Sequence, residues 1–291
     1  MSTTPSVTLE LSTVGGDLQT ASVNQGLPLP VQVKLTGNGE PIVGQTIHFA
    51  PTPGSGVATA PNIVTGADGV ASTGWNLGTT SGVRGMTVTA TGLNVSALHL
   101  TATALPGDPA LFGVTAGGDQ AQQVNALFPA ALQVRLQDIF GNPIGGVTVS
   151  WSAAGPVLLA APSSVTSSDG RAAMTVTAGS GTGTANVSVT ITALPDTLTF
   201  GLTVTPVPSL ITVHSDFFTP ASDTISAGSA VKWTWVGGPH NVTQSTGPTT
   251  FQSSPDLNSG ATYGPLVFTV PGTYTYHCTI HTGMNGTIVV Q

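Results

Sequence analysis

Charge is what this sequence has least of. Only 6% of its 291 residues are Asp, Glu, Lys or Arg, against about a quarter in an ordinary globular domain. Five Lys and Arg stand against twelve Asp and Glu. They are scattered singly, so no basic stripe is available to follow a phosphate backbone, which argues against nucleic acid as a partner. A disordered chain would pair low hydrophobicity with high net charge, whereas 40% hydrophobic residues supply ample material for cores. No apolar run approaches the roughly 18 to 20 residues of a membrane-spanning helix, so no membrane span is expected. The opening Met1-Ser2-Thr3-Thr4 has neither the charged nor the apolar stretch of a secretory signal. Cysteine is nearly absent as well. The one thiol, Cys278, can form neither an intrachain disulfide nor a cysteine-based zinc cluster, which leaves it a buried bystander, a nucleophile or a metal ligand.

What the sequence does have is period two and repetition. Val31, Val33 and Leu35, then Val147, Val149 and Trp151, then Val187 and Val189 alternate with polar residues, the pattern of half-buried strands. Thr and Val, both β-branched, dominate between turn signals such as Ala67-Asp68-Gly69 and Ser168-Asp169-Gly170. The stretch Val31 to Gly44 recurs about 100 residues later as Leu132 to Gly146, so two homologous modules follow one another. Pro106-Gly107-Asp108-Pro109 separates the first module from the second, and Pro206-Val207-Pro208 separates the second from a third segment. The expected architecture is all-β: three tandem antiparallel β-sandwiches over residues 1–105, 106–208 and 209–291, with no convincing helical window.

The phrase Asp138-x-x-Gly141-Asn142-Pro143, followed by Ser168-Asp169-Gly170-x-Ala172, resembles the bacterial immunoglobulin-like (Ig-like) repeats of the invasin and intimin type. The first module carries a degraded version, Gly39-Glu40-Pro41. The resemblance spans roughly residues 5 to 205 and implies extracellular spacers with no catalytic residues. His48 and His99 alternate away from core positions and are expected to be inert strand residues.

The third segment holds the cysteine and four of the six histidines. Cys278, His281 and Met284 follow one another at i, i+3 and i+6, and His240 lies upstream in Gly-Gly-Pro-His-Asn. A thiolate, two imidazoles and a thioether on separate loops match the trigonal His₂Cys set with a weak axial Met that characterises blue-copper electron-transfer sites. Any one of these residues alone would read as core or solvated surface; all four in this order outweigh that reading. Phe218-Thr-Pro220, Val231-Lys-Trp233, Pro239-His240-Asn241, Val270-Pro-Gly-Thr-Tyr274 and Tyr276-His-Cys278-x-x-His281-x-x-Met284 closely resemble a cupredoxin of the plastocyanin and amicyanin kind, with the short ligand loop of the latter. The resemblance implies one copper ion held by His240, Cys278, His281 and Met284. It also implies that Asn241 ties the two ligand loops together and that its backbone N–H points at the thiolate. Electrons would leave through His281.

Asn241-Val-Thr243 also reads as a glycosylation sequon, but a side chain packed beside a metal could not carry a glycan. In copper nitrite reductases and multicopper oxidases a His before the blue-copper Cys, as His277 is here, wires a second copper centre. Such centres need further histidines, and position 245 is serine. The expected function is therefore mononuclear type 1 copper electron transfer, not catalysis, with an unknown redox partner protein. The alternative is a structural surface, fibre or adhesin subunit that self-associates through its Ig-like modules and binds copper secondarily. Both readings place the protein outside the cell, at the bacterial cell surface or in the periplasm.

Overall fold

The computed structural model describes residues 7–291. All regular structure among them is strand, and no helix is long and apolar enough to cross a membrane. Buried apolar side chains gather in three clusters. Leu35, Ile47, Phe49, Trp75 and Leu100 anchor the first, Leu136, Val149, Trp151 and Phe200 the second, and Val231, Trp233, Trp235, Tyr274 and Tyr276 the third. Each large aliphatic or aromatic side chain so buried contributes about 1.5–3 kcal/mol, so each cluster can hold a sandwich together.

The first two modules share a plan. In the first, a five-stranded sheet runs in the order Gln19–Ser22, Leu98–Leu105, Gly82–Ala90, Thr46–Pro51, Asn62–Val64. The second repeats it with Gln120–Gln123, Leu194–Thr205, Gly183–Ile191, Thr148–Ala154 and Ser163–Val165. The sandwiches are antiparallel except where the opening strand divides between the two sheets. Leu9–Gly15 pairs in one sheet, and the chain then crosses so that Gln19–Ser22 lies parallel to Leu98–Leu105 in the other. Gln120–Gln123 pairs in parallel with Leu194–Thr205 in the same way. The crossing turns on a glycine. At Gly16, φ is +79° and a Cβ would sit 2.2 Å from the Pro30 carbonyl oxygen; at Gly117, φ is +93° and the same atom would sit 2.4 Å from the Ala131 oxygen. No other residue fits there. The opening strand lies at a sheet edge, so of the alternating Val7, Leu9 and Leu11 only Leu11 is buried.

The turn that carried the Ig-like resemblance is also the joint between the modules. Asp138 is fully buried, and its carboxylate accepts from the backbone N–H groups of Phe140 and Asn142, from the Asn142 amide, and from the N–H of Gly107 in the connector. Asn142 then reaches into the first module, donating to the Thr79 carbonyl at 2.8 Å and accepting from the Ser81 N–H at 2.8 Å. Burial opposes ionisation of Asp138, but these hydrogen bonds outweigh it and hold the carboxyl below the usual aspartate range.

In the third module, Phe218–Thr219, Ser209–Val213, Ser229–Trp235 and Thr262–Phe268 form one four-stranded sheet. Ser222–Ile225, Asn285–Val290, Gly272–His277 and Thr243–Thr246 form the other. Ser209–Val213 runs parallel to Ser229–Trp235, and Ser222–Ile225 parallel to Asn285–Val290. This gives the module two distinct ends. Ser209, Gly228 and Gln291 lie at one, where Ala227 donates to Gln291 and Gly228 approaches Thr182 of the second module. The loops after Val213 and Trp235 and the stretch from Cys278 to Met284 lie at the other.

Candidate metal centre

Three elements converge at that far end. Gly272–His277 alternates as the sequence requires: Tyr274, Tyr276 and Cys278 are buried, while Thr275 and His277 are half-exposed. His240 follows the strand that carries Trp233 and Trp235, both buried, and the Trp235 indole N–H donates to the His240 carbonyl. A two-way backbone bridge, His240 N–H to the Leu257 oxygen at 3.0 Å and Leu257 N–H to the His240 oxygen at 2.8 Å, fixes the loop from its other side. The turn Cys278 to Met284 closes on itself, with the Cys278 N–H donating to the Met284 carbonyl at 3.0 Å.

The side chains of His240, Cys278 and His281 meet. The two Nδ1 atoms are 3.0 Å apart, and each is 3.8 Å from Cys278 Sγ. The centre of that triangle is about 2 Å from all three atoms, the length of a first-row metal–imidazole bond. Among the described residues no other group of three His, Cys, Asp or Glu side chains converges this closely. His240 is 1% exposed and Cys278 2% exposed, whereas His281 is half-buried with one side toward solvent. Burial, then the neighbouring His281, push the His240 imidazole below the usual histidine value, with Asp216 opposing them. A depressed pKa keeps the ring neutral, the form that ligates a metal. Met284 is buried in the same core cluster.

Asn241 joins the loops through its side chain. Its Oδ1 accepts the Thr279 N–H at 2.9 Å and its Nδ2 donates to Thr279 Oγ1 at 2.6 Å. At 6% exposure it has no room for a glycan. The two imidazole nitrogens lie within hydrogen-bonding distance of Cys278 Sγ. Ser245 is placed against His277, 2.7 Å from its Nδ1. His214 stacks on Phe217 at 4.3 Å, and His48 and His99 lie on the first module, bonded to Asn62 and Thr87. Phe217, Val236 and Ile280, on the loops around the site, are exposed. Gly237, Gly238, Pro239, Thr282 and Gly283, the neighbours of the donors in sequence, are small and uncharged.

Two stretches of the chain match family models, one of copper-binding proteins and one of Ig-like domains. Residues 213–291 match the family model for copper binding proteins of the plastocyanin/azurin family, and residues 119–201 match that for a bacterial Ig-like domain (group 1). Amicyanin-alpha of Methylorubrum extorquens is 46% identical over 70 residues, 23% of this chain and 58% of that protein. The chain thus spans little more than half of that relative's length. A purple cupredoxin from Nitrosopumilus maritimus is 26% identical, over 28% of this chain and 99% of its own, with a TM-score of 0.26. FdeC, an Escherichia coli adhesin, covers 99% of both chains at 15% identity and a TM-score of 0.53, a likeness of fold alone.

Proposed function

We propose that the protein is a mononuclear type 1 copper electron carrier whose metal-binding domain, residues 209–291, is held on two Ig-like spacers, residues 1–105 and 106–208. The observation that carries this reading is the meeting of His240 Nδ1, His281 Nδ1 and Cys278 Sγ in one triangle, buried on the His240 and Cys278 sides. A copper ion bound there would supply a one-electron couple between Cu(I) and Cu(II). His240, Cys278 and His281 would hold it, with the thioether of the buried Met284 as a further soft donor. The protein's part is to present mixed sulfur and nitrogen donors that suit both oxidation states, so little rearrangement accompanies the change. Burial of Cys278 and His240 excludes water, and His281 is the one donor that reaches the surface, which makes its ring edge the exit for the electron. Around it, Phe217, Val236 and Ile280 offer a partner apolar contact, so docking would proceed by desolvation, with little long-range steering. The redox partner is a protein, and no catalytic turnover is expected.

Loading the purified chain with Cu(II) tests this. Intense absorption near ~600 nm from thiolate-to-copper charge transfer is expected, with its loss in Cys278→Ser. A colourless Cu(II) complex, or a Cys278→Ser variant as coloured as the parent, would overturn it. A second reading, a structural surface, fibre or adhesin subunit with copper secondary, draws on the exposed Leu18, Val83 and Ile139 of the first two modules and on the scarcity of charge that would otherwise repel neighbouring copies. Either role belongs outside the cell, on its surface or in the periplasm.

A further inference from the structure

Two loops carry the proposed ligands, and a charged side chain belonging to neither bears on how they meet. Asp256 lies in a segment laced to the His240 loop on both sides of it. Ser254 N–H donates to the Val242 oxygen at 3.0 Å, Ser254 Oγ accepts the Val242 N–H at 2.8 Å, and Leu257 is bridged to His240. From this fixed segment Asp256 Oδ1 accepts a hydrogen bond from Asn241 Nδ2 at 2.7 Å. We propose that Asp256 is a positioning residue for the metal centre: its carboxylate fixes the Asn241 amide in the orientation that holds Thr279, and with it Cys278, to the His240 loop. Calling the site a metal centre rests on the copper reading; the hydrogen-bond geometry does not.

A primary amide can occupy one place in two ways, with oxygen and nitrogen exchanged. The Thr279 hydroxyl cannot choose between them, because it donates or accepts equally well. The Thr243 hydroxyl, 3.4 Å from Oδ1, is equally indifferent, and the Thr279 N–H prefers the amide oxygen by one neutral hydrogen bond. An ionised carboxylate can only accept. Against Asp256 the NH₂ side must face the carboxylate, and a charge-assisted bond is roughly twice as strong as a neutral one. Turned over, the amide would set oxygen against oxygen at Asp256 and donor against donor at the Thr279 N–H. Asp256 thereby aims Asn241 Oδ1 at the residue that follows the thiol ligand.

The test uses the full chain, first without metal. Amide hydrogen exchange at Thr279 is compared in the parent, Asp256→Ala and Asp256→Asn, with Tyr274 and Ile288, in the core strands, as controls for folding. Asp256→Ala should speed exchange at Thr279 by roughly tenfold with the controls unchanged. Asp256→Asn keeps an acceptor oxygen and should restore most of the protection. After Cu(II) is added, the thiolate band and reduction potential of Asp256→Ala should shift, with Asp256→Asn close to the parent. Unchanged protection of Thr279 in Asp256→Ala, or equally fast exchange in Asp256→Asn, would overturn the proposal. If the parent stays colourless with Cu(II), the copper reading fails while the exchange data still decide the role of Asp256.

Discussion

At the scale of single residues, the candidate ligand set was legible because it is made of types and intervals. Cys278, His281 and Met284 are close in sequence, and His240 stands beside a residue whose amide bonds back to the Cys278 loop. The hydrogen bond from Asn241 to Asp256 could not be read that way. It joins a loop to a segment of no recognisable pattern, and only the fold brings them within 2.7 Å. The same holds for Ser245 against His277. Two predictions belong here. Replacing His281 by Ala should abolish the ~600 nm band or convert it to a different Cu(II) spectrum, since one of three strong donors is lost; absorption and electron paramagnetic resonance would check this. Gly286→Ala should destabilise the cupredoxin domain by about 1–3 kcal/mol or more, because a Cβ there would come 2.2 Å from the Tyr276 ring. A lowered thermal midpoint, followed by near-ultraviolet dichroism of the aromatic core, would show it.

Elements were the most legible scale of all. Period two named the strands, and the register of Tyr274, Tyr276 and Cys278 came out as alternation requires. The parallel pairing of Gln19–Ser22 and its counterparts escaped because apolar alternation carries no strand direction. The turn at Asp138 reads in the sequence as a family motif, yet its side chains also bridge two modules. One signal was available: the first module lacks both partners, with Gly37 and Glu40 at the corresponding places. Asn142→Ala should loosen the joint at a cost of about 1–3 kcal/mol, because Asp138 and the Ser81 N–H lose a partner where water reaches poorly. Small-angle scattering should then report a broader distribution of shapes. Acid should act similarly. Asp138 has a folded pKa below its unfolded value of 3.8, so its stabilisation is present above that value and is lost as pH falls through the folded one. Exchange at the Gly107 amide should accelerate over that acidic window, and an Asp138→Asn variant should not show the acceleration.

For the whole molecule, scarcity of charge resolves into strand composition spread over three sandwiches. The large exposed side chains Leu18, Val83, Ile139 and Leu158 stand on a surface with few charges to keep copies apart. If the surface-subunit reading governs, sedimentation at rising concentration should reveal self-association that added salt does not suppress; a carrier working alone should stay monomeric. If the copper reading governs, electron exchange with a partner should likewise change little with ionic strength, since the third module carries only Asp216, Asp223, Asp256 and Lys232. The polarity of the third module has a practical corollary. Because Ser209 and Gln291 both lie at the end opposite His281, tethering either residue to a solid support would turn the His281 edge of the third module away from that support. An electrode coated with such a layer would not face the donor triangle directly. It would see the blunt end of the sandwich, and a soluble protein arriving from the bulk would find the histidine edge outermost.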